Sequence, residues 1–174
     1  IAGAGKTLAL GTLTLSDGTG LASNYSLASG TFDINSRQVN IAGSRTYDGT
    51  TTVTGTDLVV TTGVGVEILT VTGIGSIASA NVASGKTVTT GTLALASGSG
   101  NASNYSIGSI SMDITQRSVS ADFEKIYDAT TLVAGSDLKT NGISNTVLGH
   151  SLSLSGTGTM PSTGVALDKS VSLG

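Results

Sequence analysis

The segment ANVASGKT, Ala80 to Thr87, has the loose outline of a phosphate-binding loop: a small residue, four spacers and Gly-Lys-Thr. Such a loop holds phosphates only when a buried strand delivers it and a helix opens behind it, because the loop amides and the helix N-terminus act together. The preceding GIGSIAS is not a convincing buried strand, and the following VTTGTLAL alternates as a strand does. In the corresponding stretch VALDKS, Asp168 stands where Gly would let the backbone approach a phosphate. Nucleotide chemistry is therefore set aside, and the stretch is read as a loop entering a strand.

Other reactive groups are sparse. His150 is the only His, within the variable stretch KTNGISNTVLGH, and no Gly-x-Ser-x-Gly elbow accompanies it, so it is read as a solvated loop residue. Glu67 and Glu124 are the only Glu, and neither recurs elsewhere as a paired carboxylate for glycoside chemistry would. There is no Cys, which removes disulfides, thiolate metal sites and cysteine nucleophiles together. Calcium is the one ion that the scattered Asp residues suggest, but a calcium site needs converging oxygens, and no D-x-D-x-D-G cluster occurs. No catalytic, cofactor or metal-ligating residue is assigned.

What does recur is structural. ASNYS at Ala22 returns at Ala102, Gly-Lys-Thr at Gly5 returns at Gly85, and TYDGTTTVTGTDL from Thr46 returns as IYDATTLVAGSDL from Ile126, each at a shift of 80. LTVTGIG from Leu69 matches LSLSGTG from Leu152, a shift of 83, so the last copy carries an insertion of three within KTNGISNTVLGH, which places His150 in the inserted stretch. One sequence repeat spans residues 37–116. Residues 1–36 match the second half of a repeat, and 117–174 match the first part of another. A division into two equivalent β-domains, 1–84 and 85–174, leaves no isolated half-domain and is the preferred one.

Composition agrees with strands. Among 174 residues, 11% are charged and 3% aromatic, with 25 Gly and one Pro. Abundant Thr and Val favour extended backbone, and Gly and Ser favour tight turns. A net charge of −3 argues against a nucleic-acid surface, and no apolar run approaches the roughly 20 residues that span a bilayer. Period-two bursts mark RQVNIAG, TTVTG, EILTVTG, TLALGTLTL, TVTTGTLAL, YSLASGTFDI and YSIGSISMDI as strands, with Gly11 and Gly91 at a change of phase. The apolar faces comprise Leu8, Leu10, Val39, Ile41, Val88, Leu93, Leu95, Ile107 and Ile114. The expected fold is all-β: tandem small sandwich-like domains with a period of about 80 residues, β-grasp-like and β-helical arrangements being the minor alternatives. Two-residue junctions, Asn35-Ser36 and Thr115-Gln116, predict little bending between neighbours, in contrast to a Gly/Ser linker.

Every Tyr is tied to the repeat: Tyr25 with Tyr105, and Tyr47 with Tyr127. Each ring is expected to fill the core or cover a sheet edge, with carbohydrate stacking as the competing role. Asp48 and Asp128 are read as closing turns with the following Gly49 or Ala129, and Asp57 with Asp137 and Asp33 with Asp113 also recur. A Lys-Asn or Lys-Asp crosslink would draw on the repeated Lys6, Lys86 and Lys169, but no buried acid to promote it is identifiable.

RQVNIAGSRTYDGTT, RSVSADFEKIYDATT, GTDL/GSDL, LTVTG, NVASGKTV and NYS before a closing DI together resemble the YDG-type, "mostly beta, glycine-rich" repeat of large bacterial surface and secreted proteins. That resemblance covers essentially the whole chain. It implies an extracellular or cell-surface location and a stalk or matrix role in adhesin-like, filamentous-haemagglutinin-like exoproteins. The implied object is a stiff, non-enzymatic rod whose partners are neighbouring repeats of the same chain, other copies of itself, or surface glycans. Two departures, Asp128-Ala129 for Asp-Gly and Asp168-Lys169-Ser170 for Gly-Lys-Thr, mark turn or strand positions tolerant of change.

Overall fold

A computed structural model describes residues 1–173. Its regular structure is β throughout apart from four single 3-10 turns, and no α-helix occurs among the described residues. Contacts group residues 1–45 with 50–114 as one unit, and 46–49 with 115–174 as a second. The boundary therefore falls beside the end of the 37–116 repeat. A cut at 84/85 would instead run through the strand Ala83–Thr89.

The first unit holds ten strands: β1 Gly3–Thr7, β2 Thr31–Ile34, β3 Arg37–Thr46, β4 Thr52–Thr54, β5 Leu58–Val60, β6 Leu69–Thr72, β7 Ile74–Ile77, β8 Ala83–Thr89, β9 Ala94–Ser97 and β10 Tyr105–Thr115, the last residues of β3 and β10 grouping with the second unit. Six of them form one sheet in the order β4-β7-β8-β10-β3-β5. β6 pairs with β9, antiparallel, with Leu69 opposite Ser97 and Val71 opposite Leu95. β1 pairs with β2 in a separate ribbon. Antiparallel pairing of β4, β7, β8 and β10 is not the coil-on-coil stacking of a β-helix.

Alternation explains which residues go inside. In β3, Val39 and Ile41 are buried while Gln38, Asn40 and Ala42 are exposed, as a pleated strand with one covered face requires. Leu69 and Val71 of β6 obey the same rule. The core comprises these with Val53, Leu58, Ile77, Val88, Leu93, Tyr105, Ile110, Met112 and Ile114. It joins both halves of the repeat: Tyr105, from the second half, packs with Val39 and Leu69 from the first, and Val60, Leu95 and Ala102 pack around them.

Residues 1–36 contribute nothing to the fully buried set. Here two expectations fail. TLALGTLTL forms no strand beyond Thr7, and YSLASGTFDI is a strand only over Thr31–Ile34. The reason is the partner. Residues 88–97 alternate in the same way, but they are held by β7 and β6, whereas residues 8–17 have no such strand beside them in this unit.

The second unit carries β11 Ser120–Phe123, β12 Leu132–Ala134, β13 Leu138–Ser144, β14 Thr157–Thr159 and β15 Ser172–Leu173. β11 pairs with β13, and β14 lies between β12 and β15. The β12-β14 ladder sets Val133 opposite Gly158, as Val53 of β4 stands opposite Gly75 of β7. Val133 is its only fully buried apolar side chain among the described residues.

Candidate functional site

The Gly-Lys-Thr element lies on a strand. Gly85 sits inside β8 at φ +63°, beside a register shift against β10, and its amide donates to Asp113 Oδ1 at 2.6 Å. Gly5 repeats this at φ +62°, with its amide 2.7 Å from Asp33 Oδ1. The left-handed glycine turns the amide out of the ladder, and an aspartate on the paired strand receives it, which makes a pinned β-bulge. Asp168, at the third such position, takes φ +54°, a conformation that Asp tolerates better than most residues. Neither Lys86 nor Lys169 is directed at a side-chain amide: Lys86 Nζ donates to the Asn81 carbonyl at 2.9 Å and Lys169 Nζ to the Ser162 carbonyl at 3.0 Å. Lys6 is half-buried on β1.

A second repeated carboxylate caps the 3-10 turn that joins two strands. Asp57 Oδ2 accepts from the Thr54 amide at 2.8 Å and the Thr54 hydroxyl at 2.9 Å, with Arg45 Nη1 at 3.8 Å. Asp137 Oδ2 accepts the Ala134 amide at 2.8 Å; Ala has no hydroxyl to complete the reciprocal bond.

The YDG/YDA turn follows the same logic. Gly49 has φ +79° and Ala129, in its place, φ +61°. Asp128 Oδ1 accepts the Thr130 amide at 3.0 Å, closing the turn across Ala129, and Lys125 Nζ lies 3.0 Å from Oδ2. The bond from Lys125, then that from the Thr130 amide, draws the Asp128 carboxyl below the ordinary 3.8, to about 2. A carboxylate whose folded pKa is depressed adds stability that is complete above the unfolded value and is lost as pH falls through the folded one. We therefore expect the turn at 126–132 to loosen between about pH 4 and pH 2, with a carboxyl titration of Asp128 by NMR centred near 2. A midpoint near 4 would contradict it. Asp48, the counterpart, is half-buried.

Arginine supplies a clamp for which no role was assigned from sequence. Arg37 Nε donates to the Thr62 carbonyl at 3.0 Å, and Arg117 Nε to the Asn145 carbonyl at 2.6 Å. The second span is longer than the first by the three inserted positions, so the insertion lies before Asn145, where β13 is longer than β5. His150 is outside the insertion, and counting on from the clamp it occupies the position of Glu67. Its Nδ1 lies 3.4 Å from the Tyr47 hydroxyl, with the rings 5.9 Å apart and tilted by 43°.

The tyrosines divide. Tyr105 is 8% exposed and its hydroxyl donates to the Glu67 carboxylate, which holds the phenol proton more tightly and raises its pKa above 10. Nothing in the repeat marked Glu67, because the other copy has His150 there. Tyr25 is 69% exposed and borders an open cleft with Leu15, Ala22 and Leu27. Tyr127 is exposed as well. Tyr25 and Tyr105 therefore do not share a groove. A smaller cleft of about 220 Å³ runs past Ile34, Arg37, Glu67, Asn104 and Tyr105. Among the described residues, no three His, Cys, Asp or Glu side chains converge as a metal site would require.

The capped turn, the Arg37 clamp, the Gly85 bulge and the shared core lie together, with the pinning Asp113 one residue beyond them, and residues 34–112 match the family model described as YDG domain. That stretch is a YDG-type domain. No curated protein and no solved structure matches the chain. Among the described residues, the YDG domain contains every buried apolar side chain except Ile114 and Val133. Its name-giving turn, Tyr47-Asp48-Gly49, is the segment that groups with the second unit.

Proposed function

We propose that the YDG domain is a structural repeat module, a stiff spacer or fibre-building unit in the stalk or matrix-forming region of a bacterial surface or secreted adhesin. One observation carries this reading: the polar side chains that recur from one copy to the next serve the backbone of their own unit. Asp33 and Asp113 each pin a bulge, Asp57 and Asp137 each cap a turn, and Arg37 and Arg117 each clamp a strand end. A repeated binding or catalytic site would instead leave repeated polar groups converging on an open cleft. The competing reading, a glycan-binding module, would draw on Tyr25 rather than on a tyrosine pair, since Tyr105 is enclosed.

The mechanical reading is tested by stretching the chain between its ends in a single-molecule force experiment. The unit at 37–116 is expected to give one resolved unfolding step that releases roughly 280 Å of chain, at about 3.5 Å for each of its residues, less its folded span. Extension without a resolved step would argue against a spacer under tension.

A further inference from the structure

β4 is the end strand of the six-stranded sheet, with β7 as its one neighbour. An end strand offers a row of backbone donors and acceptors to any extended segment that meets it. On β4 that row can be assigned residue by residue. The Thr51 carbonyl accepts the Ile77 amide at 2.9 Å, and Val53 stands opposite Gly75, so residues 51 and 53 turn their backbone groups toward β7. Residues 50, 52 and 54 alternate with them and turn theirs to the outer side.

Side chains occupy that outer row. Arg45 Nη1 donates to the Thr52 carbonyl and Nη2 to the Thr50 carbonyl, the latter at 2.8 Å, while Asp57 Oδ2 receives the Thr54 amide at 2.8 Å. Arg45 Nη1 and Asp57 Oδ2 are themselves 3.8 Å apart. The second unit repeats the arrangement with a different cation on its end strand, β12. Lys125 Nζ donates to the Leu132 carbonyl at 2.6 Å and to the Thr130 carbonyl at 3.4 Å, and Asp137 Oδ2 receives the Ala134 amide at 2.8 Å. The Thr131 carbonyl faces the other way and accepts the Met160 amide at 2.8 Å. Lys125, Thr130, Leu132, Ala134 and Asp137 are the counterparts of Arg45, Thr50, Thr52, Thr54 and Asp57 at the shift of 80. Between the copies the cation changes and its backbone targets do not. The Arg45 and Lys125 side chains are only 14% and 15% exposed, so both lie along the edge instead of extending into solvent.

The covered groups are complementary to themselves. With two β4 strands antiparallel and Thr52 opposite Thr52, each Thr52 amide would meet the other Thr52 carbonyl, and each Thr54 amide the other Thr50 carbonyl. Arg45 and Asp57 already hold three of those four groups, the carbonyls of Thr50 and Thr52 and the amide of Thr54. The strand itself, Thr-Thr-Thr-Val-Thr from Thr50, is uncharged and entirely β-branched, a composition that favours strand addition. Copies repeated within one chain meet at high effective concentration, so an open edge of this kind would find its like. We propose that Arg45 with Asp57 on β4, and Lys125 with Asp137 on β12, seal these edges against pairing with the same edge of a second copy. Opening the seal on β4 gives an isologous contact that closes on two chains, because both partners use the same strand. The seal holds or fails whether or not the module resists tension.

Sedimentation of the whole chain, from roughly 10 µM to roughly 1 mM, spans the affinities of weak protein contacts. Wild type stays at the mass of one chain. Arg45→Met keeps the apolar stem and removes the donors, and the mass rises toward two chains at the upper end of the range. Adding Asp57→Ala frees the Thr54 amide and moves that rise roughly tenfold lower in concentration, as two further hydrogen bonds of ordinary net strength would. Arg45→Lys, which copies the second unit, stays at one chain. Thr52→Pro removes an amide that faces away from β7, a place where an end strand tolerates proline, and returns either associating variant to one chain. An unchanged circular dichroism spectrum separates pairing from unfolding; where Arg45→Met loses that spectrum, Lys125→Met repeats the test on β12 and Leu132→Pro reverses it. Folded variants that remain at one chain overturn the proposal, as does pairing that survives proline or that Arg45→Lys shows equally. Growth past two chains, or wild type pairing through Thr52 without any substitution, overturns it as well.

Discussion

Gly73→Ala is expected to destabilise the YDG domain by about 2–5 kcal/mol, while Gly156→Ala costs its own unit only about 1–2 kcal/mol. Both glycines have φ +88°, which an L side chain rarely adopts, so the conformational cost is common to the two. The surroundings differ. A Cβ on Gly73 would lie 2.2 Å from the Thr92 carbonyl oxygen and 3.1 Å from the Leu93 amide, both main chain, while a Cβ on Gly156 meets nothing within 4 Å. Thr92 belongs to the second half of the repeat, directly ahead of Leu93 and β9, so the clash reports how closely the halves approach. Amide hydrogen exchange, read by NMR in β6 and β9 for Gly73→Ala and in β12 and β14 for Gly156→Ala, measures the loss. Equal protection losses in the two units would show that Thr92 gives way freely.

Met112→Ala should cost about 2–5 kcal/mol, whereas Phe32→Ala should change stability by no more than about 0.5 kcal/mol. The two positions are equivalent by the repeat, and each stands opposite a lysine, Lys86 or Lys6, across an antiparallel pair. Met112 is 0% exposed and Phe32 54% exposed. Removing Met112 leaves a cavity between packed strands. Removing Phe32 takes away a ring already more than half in water. Urea unfolding of the two variants separates them, and a similar loss in both would mean that residues 1–36 are packed as tightly as their counterparts.

The strands that could be read in the sequence are those whose partners lie in the same unit. RQVNIAG, EILTVTG and YSIGSISMDI alternate and are paired, and Val39, Ile41, Val88, Leu93 and Ile114 are buried as their pattern implies. Leu8, Leu10, Leu95 and Ile107 have the same pattern but are only half-buried, because alternation specifies a face and says nothing of what covers it. Val53 and Met112 went unnoticed for the opposite reason. TTVTG reads as a strand, but a strand as short as β4 presents one apolar side chain and does not reveal that it is covered, and Met112 is enclosed by tertiary packing that local spacing does not encode. At the polar positions, repetition identified Asp33, Asp57, Asp113, Asp128 and Asp137 but could not separate a turn from a ligand; bonds to specific amides do so. Glu67 was invisible to a search for recurrence, since its counterpart is His150.

The ladder of β6 on β9 also sets an order of events. Leu69 faces Ser97, which comes well after it in the chain, so a first half leaving the ribosome must wait with its apolar face uncovered until the second half follows. During that wait any nearby second half of related sequence competes for the same edge, whether from the preceding copy or from another molecule. Repeats of this kind carry a built-in risk of cross-pairing during synthesis, and the rate at which the chain from Thr70 to Ser97 emerges decides how often the correct neighbour wins.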